Sequence, residues 1–321
     1  MKVRSFTLKG GRLQERQGVA DCSAESLQRL GECWLDIDEA GPEELRSFLA
    51  PLELPQALLE RCLNKVTDPG VMSAGTAILM EYPAVLHAEA DAPAFLTIIL
   101  RGGLLVTVRN GSMPALDGLM DRLTADGVTE VARLPQTIYL ILDEFADLNV
   151  LAQTAVRDEI QRLAKTVAEN PQAVKADSLS RLRWRVGGLI ALIEDQLYCI
   201  SGLKASDSPA LSDPHRDAFL TDLMSEAEIA QRGMYRLEIR VNDLYRDYQV
   251  VSSERVERRL RLLTIVSAIT LPLGLVTGLL GMNVGGIPGT SAWFSFLVVV
   301  ILMVAVFLVE FWYFKKKGWF D

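Results

Sequence analysis

In the most apolar part of this sequence, the side chains that can bind a polar ligand or an ion are neutral hydroxyl groups. Four hydroxyl groups lie in a stretch that is otherwise suited to lipid: Thr264, Ser267, Thr270 and Thr277. Hydroxyls at such positions can line a polar path, or they can bond to the carbonyl one turn back in the same helix. The sequence leaves both alternatives open.

The chain lacks the sequence patterns typical of several large enzyme classes. There is no GxGxxG, GxxxxGK[ST], GxSxG or HExxH sequence, so the usual motifs of nucleotide binding, serine hydrolysis and zinc proteolysis are missing. The two histidines, His87 and His215, are far apart and have no cysteine at ligand spacing. We therefore predict a protein that is not an enzyme and that carries no bound cofactor.

Charge is divided unevenly along the chain. Of the 33 basic and 41 acidic residues, seven and three lie in residues 255–321, which leaves 26 basic and 38 acidic residues upstream and a net charge of −12 there. An acidic body joined to a basic collar argues against nucleic acid as a partner. The acidic body suits attraction of cations, and plain solubility is the alternative reason for its composition.

Cysteine usage and the N-terminus both favour the cytosol. The four cysteines show no CxxC or CxH spacing, which predicts reduced thiols rather than disulfides. No apolar segment follows the first four residues, so we expect no secretory signal.

Two long apolar runs, 262–282 and 292–314, dominate the C-terminus, and Glu310 is the only charged residue in either. Each has about the 20 residues that cross a ~30 Å hydrocarbon core. Basic residues flank the pair on both sides, whereas the connecting loop, 283–291, has no charge. Because positive residues stay on the cytoplasmic side, we predict a multi-pass protein of a bacterial inner membrane with both termini in the cytoplasm.

Helical periodicity extends far upstream of the first run. No proline interrupts 215–271, and apolar residues recur there at helical spacing, so we predict one helix over 216–282, about 100 Å long at 1.5 Å per residue. Two more helices are expected over 134–168 and 174–203, before Pro171 and Pro209 respectively.

The region before these helices alternates strand-like and helix-like runs. Gly102-Gly103 predicts a β-hairpin between the strands 95–100 and 104–109. Further strands are expected over 33–37 and 76–82, and helices over 42–48 and 115–123. The predicted fold class is thus an α+β membrane protein with an N-terminal cytoplasmic α/β domain (1–133), a long helical stalk (134–261) and a two-helix transmembrane hairpin with a basic cytoplasmic tail (262–321).

One short motif closes the first apolar run. Gly281-Met282-Asn283 stands at its outer end, with Pro272 ten residues before the methionine. Together with the two-span C-terminus and the basic tail, this resembles the CorA superfamily of divalent-cation transporters. The next residues, 284–289, resemble the zinc-transporting ZntB branch of that family, because they lack the acidic residue typical of magnesium-transporting members.

The resemblance implies a funnel-shaped homopentamer in the lipid bilayer, with a central pore lined by the first span of each subunit. The positions that it carries over to this sequence are Glu257, Leu260, Leu263, Ser267, Leu271, Gly274, Gly278, Gly281, Met282 and Asn283. It implies that Asn283 forms a ring of carbonyl oxygens, which holds a dication through its water shell. It also implies hydrophobic constrictions at Leu263 and Leu271 and a ring of carboxylates at Glu257.

Three functions follow as expectations. The first is transport of Zn²⁺, with Cd²⁺ as a related cargo; the second keeps the architecture and transports Mg²⁺, Co²⁺ or Ni²⁺. The third is a membrane-anchored scaffold or sensor without transport. Because neither run contains a proton relay, any proton coupling is expected to use the funnel or the water of the permeating ion.

Overall fold

A computed structural model gives the fold of residues 1–16, 31–64, 68–85, 93–125, 131–282 and 294–319. The chain divides into two units, which are described separately. The N-terminal unit comprises residues 1–166 and 173–244, and the C-terminal unit comprises residues 167–172 and 245–321.

Seven strands form one sheet in the N-terminal unit, in the order β2-β1-β3-β7-β6-β5-β4. The strands are β1 (Lys2–Lys9), β2 (Arg12–Glu15), β3 (Cys33–Asp38), β4 (Gly70–Ala74), β5 (Ala77–Val85), β6 (Ala94–Arg101) and β7 (Leu104–Arg109). Neighbours are antiparallel except β3 and β7, which run parallel with Cys33 opposite Leu104. The predicted β6–β7 hairpin is confirmed, and it turns at Gly102 with φ 57°, a value that glycine adopts without steric cost.

The described residues form seven α-helices. They are α1 (Pro42–Leu49), α2 (Gln56–Leu63), α3 (Pro114–Thr124), α4 (Leu134–Glu169), α5 (Ala176–Ala205), α6 (Arg216–Leu280) and α7 (Ser295–Lys316). The three long helices predicted from periodicity are present, with ends that differ from the prediction by one or two residues. The second apolar run, predicted from residue 292, is helical from Ser295, and residues 283–293 lie outside the described part.

Alternation along the strands gives the sheet two apolar faces. One face packs against α1 and α2 through residues such as Leu49, Leu58 and Leu79. The other face packs against α3, α4, α5 and the first part of α6, and its core includes Phe145 and Leu220. Helices on both faces of a mixed sheet bury nearly all of its apolar surface, which is what makes the N-terminal unit stable.

A buried ion pair fixes the register of the two parallel strands. Asp36 on β3 and Arg109 on β7 are 1% and 4% exposed, and the Arg109 Nη2 atom lies 3.0 Å from the Asp36 carboxylate and 2.6 Å from that of Asp117 on α3. The Thr107 hydroxyl donates to Asp36 at 2.7 Å and accepts from Trp34 Nε1 at 3.0 Å. Removing one partner from such a pair would leave a buried charge uncompensated.

A second buried carboxylate lies on the opposite face of the sheet. Glu81 on β5 is 2% exposed and accepts a hydrogen bond of 2.7 Å from Thr97 on β6. Both side chains border a cavity of about 280 Å³ that is otherwise lined mainly by apolar groups and by Cys62. Burial raises the pKa of Glu81 to about 7, against the opposing effects of the Thr97 hydrogen bond and the Arg61 charge.

Among the residues that the structure describes, three helices are long and apolar enough to cross a membrane, by length and composition: α5, α6 and α7. Half of the apolar window of α5 is buried inside the protein, whereas the windows of α6 and α7 are 6% and 0% buried. The apolar surface of α5 therefore serves the core of the N-terminal unit, and that of α6 and α7 is left for another apolar environment.

Candidate ion-conduction pathway

The part of α6 that belongs to the C-terminal unit has one exposed side and one covered side. Six of the predicted pathway positions share the exposed side: Leu260, Leu263, Ser267, Leu271, Gly274 and Gly278. At about 100° per residue, all six lie within about 40° of Ser267 around the helix axis. We call this line of residues the open stripe of α6.

The covered side of α6 lies opposite the open stripe. Ile265 is only 3% exposed, and the partly covered positions are Ala268, Ile269, Pro272, Leu273 and Val276. Each of these lies about 100° or more from Ser267 around the axis. In the C-terminal unit, the side of α6 that is covered by the rest of the unit therefore lies opposite the predicted pathway residues.

The second apolar helix has a matching covered side. In α7 the less exposed residues recur every three or four positions, at Val299, Met303, Val306, Glu310 and Phe314, which is one helical face. Most of the other side chains of α7 are large, apolar and exposed, among them Phe296, Leu308 and Trp312. A helix with such a surface suits contact with lipid.

The hydroxyl groups of α6 differ in what they bond. Thr264 donates to the carbonyl of Leu260 at 2.9 Å, and Thr270 donates to that of Val266 at 2.8 Å. Thr277 likewise bonds back to the preceding turn, to the carbonyl of Leu273 at 3.0 Å. Of the two alternatives left open by the sequence, bonding within the helix holds for these three threonines.

Ser267 is the exception among the four hydroxyls. Within the part of the chain that the structure describes, its hydroxyl makes no hydrogen bond, and its side chain lies on the open stripe. The sequence did contain a signal for this difference. The three threonines lie about 60–80° from Ser267 around the axis and therefore off the stripe.

Two glycines widen the open stripe. A Cβ atom added at Gly274 or Gly278 would meet no atom within 4 Å. Pro272, on the covered side, lacks the N–H that would bond to the carbonyl of Ala268, so the ladder of hydrogen bonds has one vacant acceptor there. Neither glycine is required by packing inside this chain.

Gly281, by contrast, is required by its surroundings. α6 ends at Leu280, and Gly281 N–H donates to the carbonyl of Thr277 at 2.9 Å. A Cβ added at Gly281 would lie 3.0 Å from that same carbonyl oxygen. Met282 is 53% exposed, while Asn283 and the loop 284–289 lie outside the described residues.

Charged residues lie just before the apolar part of α6 and at the C-terminal end of α7. Arg258, Arg259 and Arg261 are exposed, and Glu257 beside them forms no ion pair in the described part of the chain. Glu257 lies about 80° from Ser267 around the axis, at the margin of the open stripe. Lys316 stacks over the ring of Trp312 with its Nζ 5.0 Å from the ring centre, an arrangement that holds a cation beside an aromatic interface residue.

Glu310 is the one carboxyl group inside the apolar helices. Its Oε2 atom is buried and has no hydrogen-bond partner among the described residues. The carboxyl lies on the covered side of α7, away from the exposed apolar side chains.

Carboxylates also cluster in the N-terminal unit. Asp143 and Asp147 on α4 face Asp222 and Glu226 on α6, and burial together with these like charges raises the pKa of Asp143 and of Glu226. Among the described residues there is nevertheless no group of three or more His, Cys, Asp or Glu side chains placed to hold a metal ion. The cluster supplies a negative potential rather than a coordination site.

Known proteins resemble this chain along most of its length. The family model described as "CorA-like Mg2+ transporter protein" matches residues 31–316. The divalent cation transporter CmaX of Pseudomonas aeruginosa is 23% identical, over 99% of this chain and 96% of its own. The zinc transport protein ZntB of Pectobacterium atrosepticum is 21% identical, over 89% of this chain and 88% of its own.

Solved structures show the same fold. The complete CorA magnesium transporter of Methanocaldococcus jannaschii superposes with a TM-score of 0.81 at 17% sequence identity, covering 99% of both chains. The full-length CmaX protein superposes with a TM-score of 0.75 at 22% identity, covering 98% of this chain and 97% of its own. The long helix followed by a second apolar helix is therefore an arrangement that these proteins share.

Proposed function

The chain belongs to the CorA family of divalent cation transporters, and from that premise we propose that it conducts hydrated Zn²⁺ through the centre of a homopentamer. The open stripe of α6 would line the path, and α7 would lie outside it against lipid. The proposal rests on the exposed side of α6, because the predicted pathway residues lie on that side.

A single copy cannot enclose the path. One stripe of six side chains forms one wall, so a closed passage needs several copies arranged around an axis. A five-fold ring brings five open stripes together and covers the exposed Leu260, Leu263 and Leu271. Leu263 and Leu271 would form the apolar constrictions, which can close by excluding water.

The orientation proposed from the flanking charges keeps both termini in the cytoplasm of a bacterial inner membrane. The basic residues beside α6 and after α7 would remain on that side. The acidic body would then raise the local concentration of cations at the inner end of the path.

Zinc is favoured over magnesium by two observations. The loop 284–289 has no acidic residue, and several relatives along nearly the whole chain are named zinc transport proteins. Magnesium is the second candidate, because the family model and the Methanocaldococcus protein are both described as magnesium transporters.

Uptake of radioactive zinc into proteoliposomes tests the proposal. We expect wild-type protein to take up Zn²⁺, and an excess of Mg²⁺ to leave most of that uptake intact. Asn283→Ala should abolish uptake, whereas Thr277→Val, which removes a hydroxyl bonded within the helix, should not. Loss of the zinc flux in excess Mg²⁺ would favour the magnesium candidate, and full uptake by Asn283→Ala would contradict the role of Asn283.

A further inference from the structure

The proposed path has a long stretch without charge. Glu257 and Leu280, the last residue of α6, stand 23 residues apart, which is about 35 Å along the helix. Between them the open stripe offers leucines, glycines and a single hydroxyl side chain, that of Ser267. Without that group, every side chain on the stripe would be apolar or absent.

Apolar linings of this kind oppose the passage of a hydrated ion. Water in a narrow apolar passage is easily expelled, and a dication that keeps its hydration shell needs acceptors for the hydrogen bonds of those waters. A neutral hydroxyl can accept such a bond without removing the shell. That hydroxyl must face the passage, and it turns an acceptor lone pair toward those waters most freely when it donates no hydrogen bond to its own helix.

Ser267 meets both conditions, and its neighbours do not. The hydroxyls of Thr264, Thr270 and Thr277 bond to backbone carbonyls of their own helix and lie off the stripe. The Ser267 hydroxyl has no partner among the described residues and faces the open side. Along the axis it lies about 6 Å from each of the constriction residues Leu263 and Leu271.

Resting on the proposed function, we infer that the Ser267 hydroxyls form a polar ring between the two leucine constrictions and bind the water shell of the permeating dication. The ring lies about 20 Å from Leu280, the last residue of α6, and about 15 Å from Glu257 along the helix. It divides the uncharged stretch into two shorter parts. A hydrated ion can rest there before it crosses the second constriction.

Matched hydroxyl deletions test this role in the full chain. Ser267→Ala should lower the initial rate of zinc uptake into proteoliposomes about tenfold, the loss expected when hydrogen bonds to a charged species are removed. Thr264→Ala and Thr277→Ala delete hydroxyls from the same helix and should keep most of the wild-type rate. Equal rates for Ser267→Ala and wild type, or equal losses in all three variants, would overturn the inference.

A second variant separates pore lining from a fault in folding. Ser267→Cys should be blocked by a water-soluble, positively charged thiol reagent, because the ring is wetted, whereas Thr270→Cys should not be. Uptake by Ser267→Cys that survives the reagent unchanged would also overturn the inference. If the wild-type protein moves no zinc at all, the proposed function fails, and the reagent can be tested against the flux of whichever dication the protein does carry.

Discussion

Glu81 provides a perturbation whose size follows from its surroundings. It is paired across β5 and β6 with Thr97, it is 2% exposed, and it borders an apolar cavity beside Cys62. Burial holds its pKa at about 7, compared with an ordinary value of 4.5. Replacing it by glutamine keeps an oxygen that can accept the Thr97 hydrogen bond and removes the titration.

The sign of the effect is fixed by which state holds the proton more tightly. Between pH 4.5 and 7 the folded protein keeps the Glu81 proton while the unfolded chain has lost it. Raising the pH through this window therefore lowers the free energy of unfolding. At 1.36 kcal/mol per pKa unit, the full contribution is about 3 kcal/mol, which is present below pH 4.5 and lost above pH 7.

Urea unfolding of the full chain in detergent micelles measures this contribution. The near-UV circular dichroism of buried aromatic residues such as Trp34 and Tyr82 reports on the N-terminal unit. We expect wild type to lose about 3 kcal/mol more than Glu81→Gln between pH 4.5 and pH 8, since the variant cannot titrate there. Glu43→Gln, which removes an exposed carboxylate from α1, is the control for charge alone and should follow wild type.

One result would refute the reasoning. If wild type and Glu81→Gln show parallel stability curves across this pH range, then Glu81 does not hold its proton in the folded state. Thr97→Val supplies a further check, because loss of its hydrogen bond to the ionised carboxylate should raise the pKa of Glu81 further and shift the transition to higher pH.

The remaining predictions concern packing in the N-terminal unit. Arg109→Met should lower the free energy of unfolding by about 3–5 kcal/mol, because Asp36 would be left buried without its partner; adding Asp36→Leu should restore part of the loss, and unchanged urea midpoints would contradict this. Gly202→Ala should destabilise by about 1–3 kcal/mol, since its Cβ would lie 3.1 Å from the Val71 side chain on β4. Gly233→Ala displaces only the flexible end of a glutamine side chain and gains up to about 1 kcal/mol of helix propensity, so thermal melts should rank it above Gly202→Ala.

Local sequence patterns predicted two kinds of element correctly, namely the long helices and a hairpin with a characteristic turn. The 65-residue helix α6 and its two predecessors follow from apolar residues at helical spacing without a breaking proline before Pro272. The β6–β7 hairpin follows from Gly102-Gly103. Both signals depend on residues close together in the chain, which is why one sequence is enough.

Elements defined by distant contacts were missed. The pairing of β1 with β3, about 30 residues away, has no local signal, whereas the β1–β2 hairpin was missed although Gly10-Gly11 marks its turn. The parallel pairing of β3 with β7 joins residues about 70 positions apart, and the Asp36–Arg109 ion pair that accompanies it has no local signal. The cavity at Glu81 depends in the same way on helices from elsewhere in the chain.

For the candidate pathway, the spacing of residues predicted which positions share the open stripe, but it did not predict which hydroxyl groups bond to their own helix. The six positions share a face by helical arithmetic alone. Helical spacing places the three threonines off the stripe, but their hydrogen bonds to their own helix are visible only in the structure. The role of Asn283 stays a prediction, since that residue lies outside the described part.

The two edge strands of the described sheet are short, and their length bears on the proposed assembly of several copies of the chain. β2 has four residues and β4 has five, against eight and nine in β1 and β5. An unpaired strand edge is a template on which another chain can add a strand, and short or charged edges limit that addition. Arg12 and Glu15 give β2 a charge at each end. In the proposed ring, which would hold several sheets at high local concentration, such edges would discourage continuous sheets from forming between neighbouring copies.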